Sequence, residues 1–254
     1  MARSGAALVA AYLLAFAAGP VAGNDAARLR EDLRRCWGNE SLQAVVRVEQ
    51  WAGVKKGGLP ATATAPEAIA SFEIGAAGNA VTVRLPEKEV RQEDRAPRDA
   101  KTPSAPADGL ANISLSRAAS LVNYGPALAR ALDGFRIEGR KPDVCQGAPC
   151  TKWSLGRTNK ESAMGMSMTE DSAWDIWTDA EGYPVAAQHT EQTKTKALLI
   201  GTTSRSQTSY RFRRHGRRLV LVFEQSTGDH EVAGSRVSVT TTTTIDLSQA
   251  PPAP

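Results

Sequence analysis

Residues 236–247 read RVSVTTTTTIDL, a run of amphipathic alternation. One side of the alternation carries Val237, Val239, Thr241, Thr243, Ile245 and Leu247, and the other carries Ser238, Thr240, Thr242, Thr244 and Asp246. A period of two with one more apolar side is typical of a β-strand that buries one face. This stretch therefore predicts an amphipathic strand.

Working outward from this strand, much of the chain after residue 134 has strand character. The pattern predicts strands over 135–140, 151–157, 163–168, 174–178, 183–193, 203–213 and 218–225. Nearer the N-terminus, the same period covers 42–50, 72–74 and 81–85, the last two around a hairpin-turn signal at 75–79.

Two segments instead have helical spacing. Residues 24–37 begin with possible capping residues and place Leu29 and Leu33 four apart. Residues 114–132 form the second helix, where Pro126 predicts a kink or two short helices. With no βαβ rhythm, this order predicts an α+β fold: a large antiparallel sheet of about ten strands with two helices on one side.

Composition excludes several classes of protein. Of 254 residues, 41% are hydrophobic and 23% charged, too apolar for a wholly disordered chain and too polar for a multi-span membrane protein. Three cysteines are too few for a disulfide scaffold and too scattered for a zinc site.

The N-terminus has the three parts of a secretory signal peptide. A basic start precedes an apolar run over 6–18 and a small-residue end at 19–23. We expect cleavage after Gly23 and export to a bacterial periplasm or beyond. The expected organisation is a signal peptide at 1–23, a single domain at 24–248 and a disordered tail at 249–254.

Export permits disulfides. Cys145 and Cys150 frame a turn-rich tetrapeptide and predict a hairpin-end bridge, whereas Cys36 is interpreted as a half-buried apolar residue. Residues 86–108 carry four prolines and 11 charged residues, which indicates a solvated loop. Simple disorder is favoured there over a role as a lid or partner contact.

No catalytic motif is present. The histidines are His189, His215 and His230, without a nucleophile elbow, a P-loop or a zinc-protease helix. We therefore expect no enzymatic activity, cofactor or metal, although a cluster of His189 or His230 with carboxylates would revive an enzyme.

Met164, Met166 and Met168 alternate, so the pattern predicts three thioethers on one side of a strand. A deformable apolar wall is favoured over a Cu(I) site.

A second cluster is basic. No acidic residue lies between Glu191 and Glu224, and the hairpin within that window carries Arg211, Arg213, Arg214, Arg217 and Arg218. In an exported protein such a patch suits anionic lipid or an acidic protein face rather than nucleic acid. A merely solvated hairpin remains open.

The element order and the stretch from Trp174 to Val185, WDIWTDAEGYPV, resemble the periplasmic lipoprotein-carrier superfamily. That group includes the outer-membrane lipoprotein carrier and receptor and an envelope-stress regulator. The Cys145/Cys150 hairpin and the Pro-rich loop depart from its pattern, and no lipobox is present.

The resemblance implies an unclosed half-barrel whose concave apolar face holds acyl chains beneath the 114–132 helix as a lid. The candidate lining residues are Val46, Val48, Phe72, Ile74, Val81, Val83, Met164, Met166, Met168, Leu219, Leu221 and Phe223. A lipid or lipoprotein-binding carrier is the first hypothesis. The alternative is an envelope protein-interaction or stress-sensing module with the cavity filled by side chains.

Overall fold

A computed structural model describes residues 24–55, 68–85, 115–163, 166–197, 200–232 and 235–248. The expected signal peptide, the expected loop at 86–108, Met164 and the expected tail at 249–254 lie outside the described residues. No helix within the described ranges is long and apolar enough to cross a membrane.

Three helices and ten strands make up the described chain. The helices are α1 (Asn24–Arg35), α2 (Leu115–Val122) and α3 (Tyr124–Ala131). The strands are β1 (Leu42–Lys55), β2 (Ala68–Ala77), β3 (Ala80–Arg84), β4 (Arg136–Cys145), β5 (Ala148–Ala163), β6 (Met166–Thr178), β7 (Pro184–Ala197), β8 (Ile200–His215), β9 (Arg218–Val232) and β10 (Ser235–Ser248).

The ten strands form one antiparallel sheet in the order β3-β2-β1-β10-β9-β8-β7-β6-β5-β4. The last described strand, β10, pairs with the first, β1, so these two strands are neighbours inside the sheet. The described sheet is not closed into a barrel, because β3 and β4 are its edges. The α+β prediction with an unclosed antiparallel sheet of about ten strands is confirmed.

One predicted strand is wrong. Residues 163–168 span the junction of β5 and β6, and the register pairs Ala163 with Met166 across it. The two strands extend to this junction because polar positions such as Asn159 and Lys160 continue the ladder. Polar pairs of this kind leave no apolar alternation in the sequence, so the pattern could not show them.

The predicted second helix is two short helices, which makes three helices in all. The break lies at Asn123 rather than at Pro126, which falls in the first turn of α3, where a missing N–H costs little. The side-chain Oδ1 of Asn123 accepts a hydrogen bond from Gly38 N at 3.3 Å, which ties the break to the end of α1.

The hydrophobic core lies between the helices and one face of the sheet, which we call the helix face. Leu29 and Leu33 of α1, and Leu121, Val122 and Leu128 of α2 and α3, are buried against it. The helices reach both edges of the sheet, since α2 packs near β3 and α1 near β4. They therefore cover one end of the helix face from edge to edge.

Candidate functional site

Most of the candidate lining residues share the helix face. Val46, Phe72, Ile74, Leu219 and Leu221 are at most 1% exposed. Val48, Val81 and Val83 are partly buried and pack against the same core. The helices fill the space above these side chains, so this half of the face is a packed interface.

Phe223 does not share that face, which corrects the prediction. The register of β8 and β9 shifts between Arg211 and Phe212, whose partners are Phe223 and Leu221, so Val222 is an extra residue. A bulge of this kind reverses the phase of the alternation. Phe223 consequently lies beneath the guanidinium of Arg211, 4.5 Å from its ring centroid, on the outer face.

The methionine wall is also wrong for the described residues. Met166 is 52% exposed at the first position of β6, and Met168 is half-buried two residues later. Their strand partners, Ala197 and Thr195, lie near the end of β7. This pairing places both methionines at the end of the sheet that is far from the helices. They do not belong to the core.

The structure places the five arginines of the basic patch in different environments. Arg218 is fully buried, and its guanidinium donates to the carbonyl oxygens of Glu40 and Gly78 at 2.6 and 2.7 Å. Arg214 pairs with Glu181 and stacks over Tyr183. Arg213 and Arg217 stay exposed, so the five arginines do not form one free surface.

The sequence did not predict a row of aromatic side chains on the helix face, next to the edge of the helices. His189 stacks on Trp174 with centroids 4.5 Å apart, Trp174 stacks on Tyr210 at 5.5 Å, and Tyr210 lies 6.2 Å from Phe212. Tyr124 of α3 contacts both Tyr210 and Phe212 from above. These residues lie on three strands, so only the strand register could have brought them together.

A polar network lies beside this row, where the apolar half of the face ends. Arg117 of α2 forms an ion pair with Glu224 of β9 and hydrogen-bonds to the Tyr124 hydroxyl. The Tyr124 ring in turn packs against the Tyr210 ring, with centroids 5.8 Å apart. We call Arg117, Tyr124, Tyr210 and Glu224 the rim network; it joins both short helices to the sheet.

Burial controls the electrostatics of the rim network. It raises the pKa of Glu224, while the neighbouring Arg117 opposes that rise. Burial, reinforced by the Glu224 charge, raises the pKa of Tyr124 to about 12. Both tyrosines therefore stay neutral at physiological pH, and Arg117 is the cation of the network.

Beyond the rim network the helix face becomes polar. Ser172 Oγ lies 2.8 Å from His189 Nε2, and burial lowers the pKa of His189 while the charge of Glu191 opposes this. A neutral imidazole beside a hydroxyl is the geometry of an activated nucleophile. Ser172 is buried, however, and both residues lie inside paired strands whose backbone amides serve the ladder. The geometry favours a structural hydrogen bond.

The disulfide prediction is confirmed. Cys145 and Cys150 form the disulfide at the β4–β5 hairpin end, with Cα atoms 5.9 Å apart. Cys36 is buried more fully than expected, and burial together with Asp32 raises its pKa to about 11. Among the described residues no group of histidine, cysteine and carboxylate side chains could hold a metal ion.

No protein-family model, curated protein or solved structure matches this chain.

Proposed function

We propose that this is an exported binding protein that holds an acyl chain between the helix face and a lid formed by α2 and α3. The observation that carries the proposal is the position of the rim network, which lies where the buried apolar interface meets the polar half of the same face. An apolar interface that ends in a few convergent polar groups would suit an amphipathic ligand once the lid moves away.

The lid is suited to movement. Each of its helices has eight residues, too few to be stable alone, so packing and the rim network hold it in place. The break at Asn123 separates the two helices and supplies a hinge between them. Arg117, on the first helix of the lid, would meet the anionic head of an incoming ligand.

The energies of opening and binding are comparable. Moving Leu121, Val122, Leu128 and Leu132 off the sheet would cost roughly 6–12 kcal/mol, at about 1.5–3 kcal/mol for each buried side chain. A chain of about 16 carbons would recover roughly 12 kcal/mol at about 0.8 kcal/mol per methylene. Burial of such a chain would therefore offset the cost of exposing these four side chains.

The test is native mass spectrometry with lipid extraction on full-length protein exported to a periplasm and purified without detergent. We expect a stoichiometric acyl-bearing adduct, or uptake of added palmitate at one chain per protein. Glu224→Gln loosens the lid and should speed palmitate exchange. Asp175→Asn removes a comparable ion pair with Lys152 on the outer face and should leave exchange unchanged.

A second function is favoured by the tightness of the core. Val46, Leu219 and Leu221 are completely covered by side chains, as expected of an interaction or stress-sensing module without a transported ligand. A bare protein mass together with no palmitate uptake would overturn the carrier and leave this module.

A further inference from the structure

A cavity of about 380 Å³ lies at the C-terminal end of α1 and shares no lining residue with the rim network. Its walls include Arg34 and Arg35 from the last turn of the helix, Trp37 just beyond it, and Arg217 from the β8–β9 turn. The sequence brings the first three together as RRCW, and the fold adds the fourth.

Trp37 is 43% exposed, whereas Leu29 and Leu33 of α1 and Cys36 just beyond the helix are buried. Its neighbour Cys36 turns into the core, and Gly38 is fixed to Asn123. Trp37 is therefore held outward by ordered neighbours on both sides. An exposed, positioned indole beside arginines is typical of a recognition surface.

The charge of the cavity is positive. Glu40 is the acidic residue in its wall, and its carboxylate is already engaged by the backbone N–H of Arg217 at 2.8 Å and by buried Arg218 at 4.0 Å. The backbone hydrogen bond from Arg217 also keeps the pKa of Glu40 low. Glu40 is thus engaged by Arg218 and by the backbone of Arg217, which leaves the guanidinium groups of Arg34, Arg35 and Arg217 as the basic part of the cavity wall.

Arg34 and Arg35 also have acidic neighbours on α1. Their guanidinium groups lie 3.4–3.9 Å from Glu31 and Asp32, and these side chains are 42–68% exposed. Exposed pairs at such distances contribute little and exchange readily. Both arginines can therefore turn to a ligand.

We propose that this cavity binds a phosphate group, from a lipid headgroup or from a free phosphate. Guanidinium groups match the geometry and charge of phosphate oxygens, and three arginines line this cavity from two parts of the fold. The indole of Trp37 supplies an apolar wall for the carbon skeleton next to the phosphate. The site does not require a ligand beneath the lid, so it stands apart from the carrier proposal.

The test compares two phosphate sources with the full chain. Inorganic phosphate is titrated by calorimetry, and vesicles of phosphatidylglycerol are used in flotation at low salt. We expect binding to at least one source. Arg34→Gln with Arg35→Gln should weaken it by about fivefold for each arginine. The matched control is Lys194→Gln with Lys196→Gln, the same change of charge at exposed positions on β7.

The outcomes are separable. Binding of inorganic phosphate identifies a free phosphate as ligand, and binding of vesicles alone identifies a lipid headgroup. Binding of neither source overturns the proposal, as does equal weakening in both double variants, which would indicate unspecific attraction. Arg217→Gln, away from the helix, repeats the test if the first double variant does not fold. None of these readouts depends on palmitate uptake.

Discussion

Arg218 Nη2 lies 2.7 Å from the carbonyl oxygen of Gly78, and the two residues are 140 positions apart in the chain. The bond joins the β8–β9 hairpin end to the β2–β3 turn, and Arg218 Nε adds a second bond to the carbonyl of Glu40 at 2.6 Å. One buried side chain thus connects three segments at the same end of the sheet.

Replacing Arg218 by Met should consequently destabilise the fold. The change leaves the part-buried carbonyl oxygens of Glu40 and Gly78 without this donor and removes a buried cation from beside the Glu40 carboxylate, and we expect a loss of about 3 kcal/mol in the free energy of unfolding. Urea denaturation measures it. Arg213→Gln, at an exposed position on the same hairpin, should change stability by less than about 0.5 kcal/mol. Equal losses of stability in Arg218→Met and Arg213→Gln would contradict the structural role of Arg218.

These two arginines show where sequence reasoning stops. Local alternation located much of the sheet, because a half-buried strand exposes every second residue whatever its partners. In sequence, Arg213 and Arg218 both belong to one basic run. Arg218 is a structural residue because the carbonyls of Gly78 and Glu40 lie within hydrogen-bonding distance of it, whereas Arg213 is exposed. Phe223 was misplaced because a bulge at Val222 leaves no local signal.

The rim network escaped prediction for a related reason. Arg117 and Glu224 lie 107 positions apart, and the helix carrying Arg117 was recognised by its apolar residues alone. The polar partner of a helix depends on which strand it crosses, and that depends on the order of strands in the sheet. Strand order follows from long-range pairing, which a period of two does not encode.

Single substitutions of Arg117 and Glu224 should lower the free energy of unfolding by different amounts. Arg117→Gln leaves a carboxylate in a mostly buried position, and we expect a loss of about 2 kcal/mol. Glu224→Gln leaves a cation that is 38% exposed and can reach water, so its loss should be about 1 kcal/mol. Denaturation of both singles and the double variant forms a cycle. Strictly additive losses would contradict a direct pair.

The three cysteines should differ in reactivity. With Cys145 and Cys150 bridged, native protein should react with a disulfide reagent such as DTNB at no measurable rate, because Cys36 is buried and its pKa is about 11. Unfolding in urea without reductant should release one reactive thiol per chain. Fast native labelling would contradict the burial of Cys36, and three thiols would contradict the bridge.

His189 should make stability depend on pH. Burial lowers its pKa in the folded state, so below its unfolded pKa of about 6.5 the unfolded chain binds the proton more readily. Stability should therefore fall as the pH is lowered from about 7.5 through this region. His189→Gln keeps a hydrogen-bonding side chain next to Ser172 and removes the titration, so its stability should depend less on pH.

His215→Gln serves as the control, since His215 is bonded to Ser41 O at the exposed hairpin end. Urea unfolding at pH 7.5 and pH 5.5 measures the pH dependence of the free energy of unfolding. If this dependence persists in His189→Gln but disappears in His215→Gln, it belongs to His215 and the prediction is wrong.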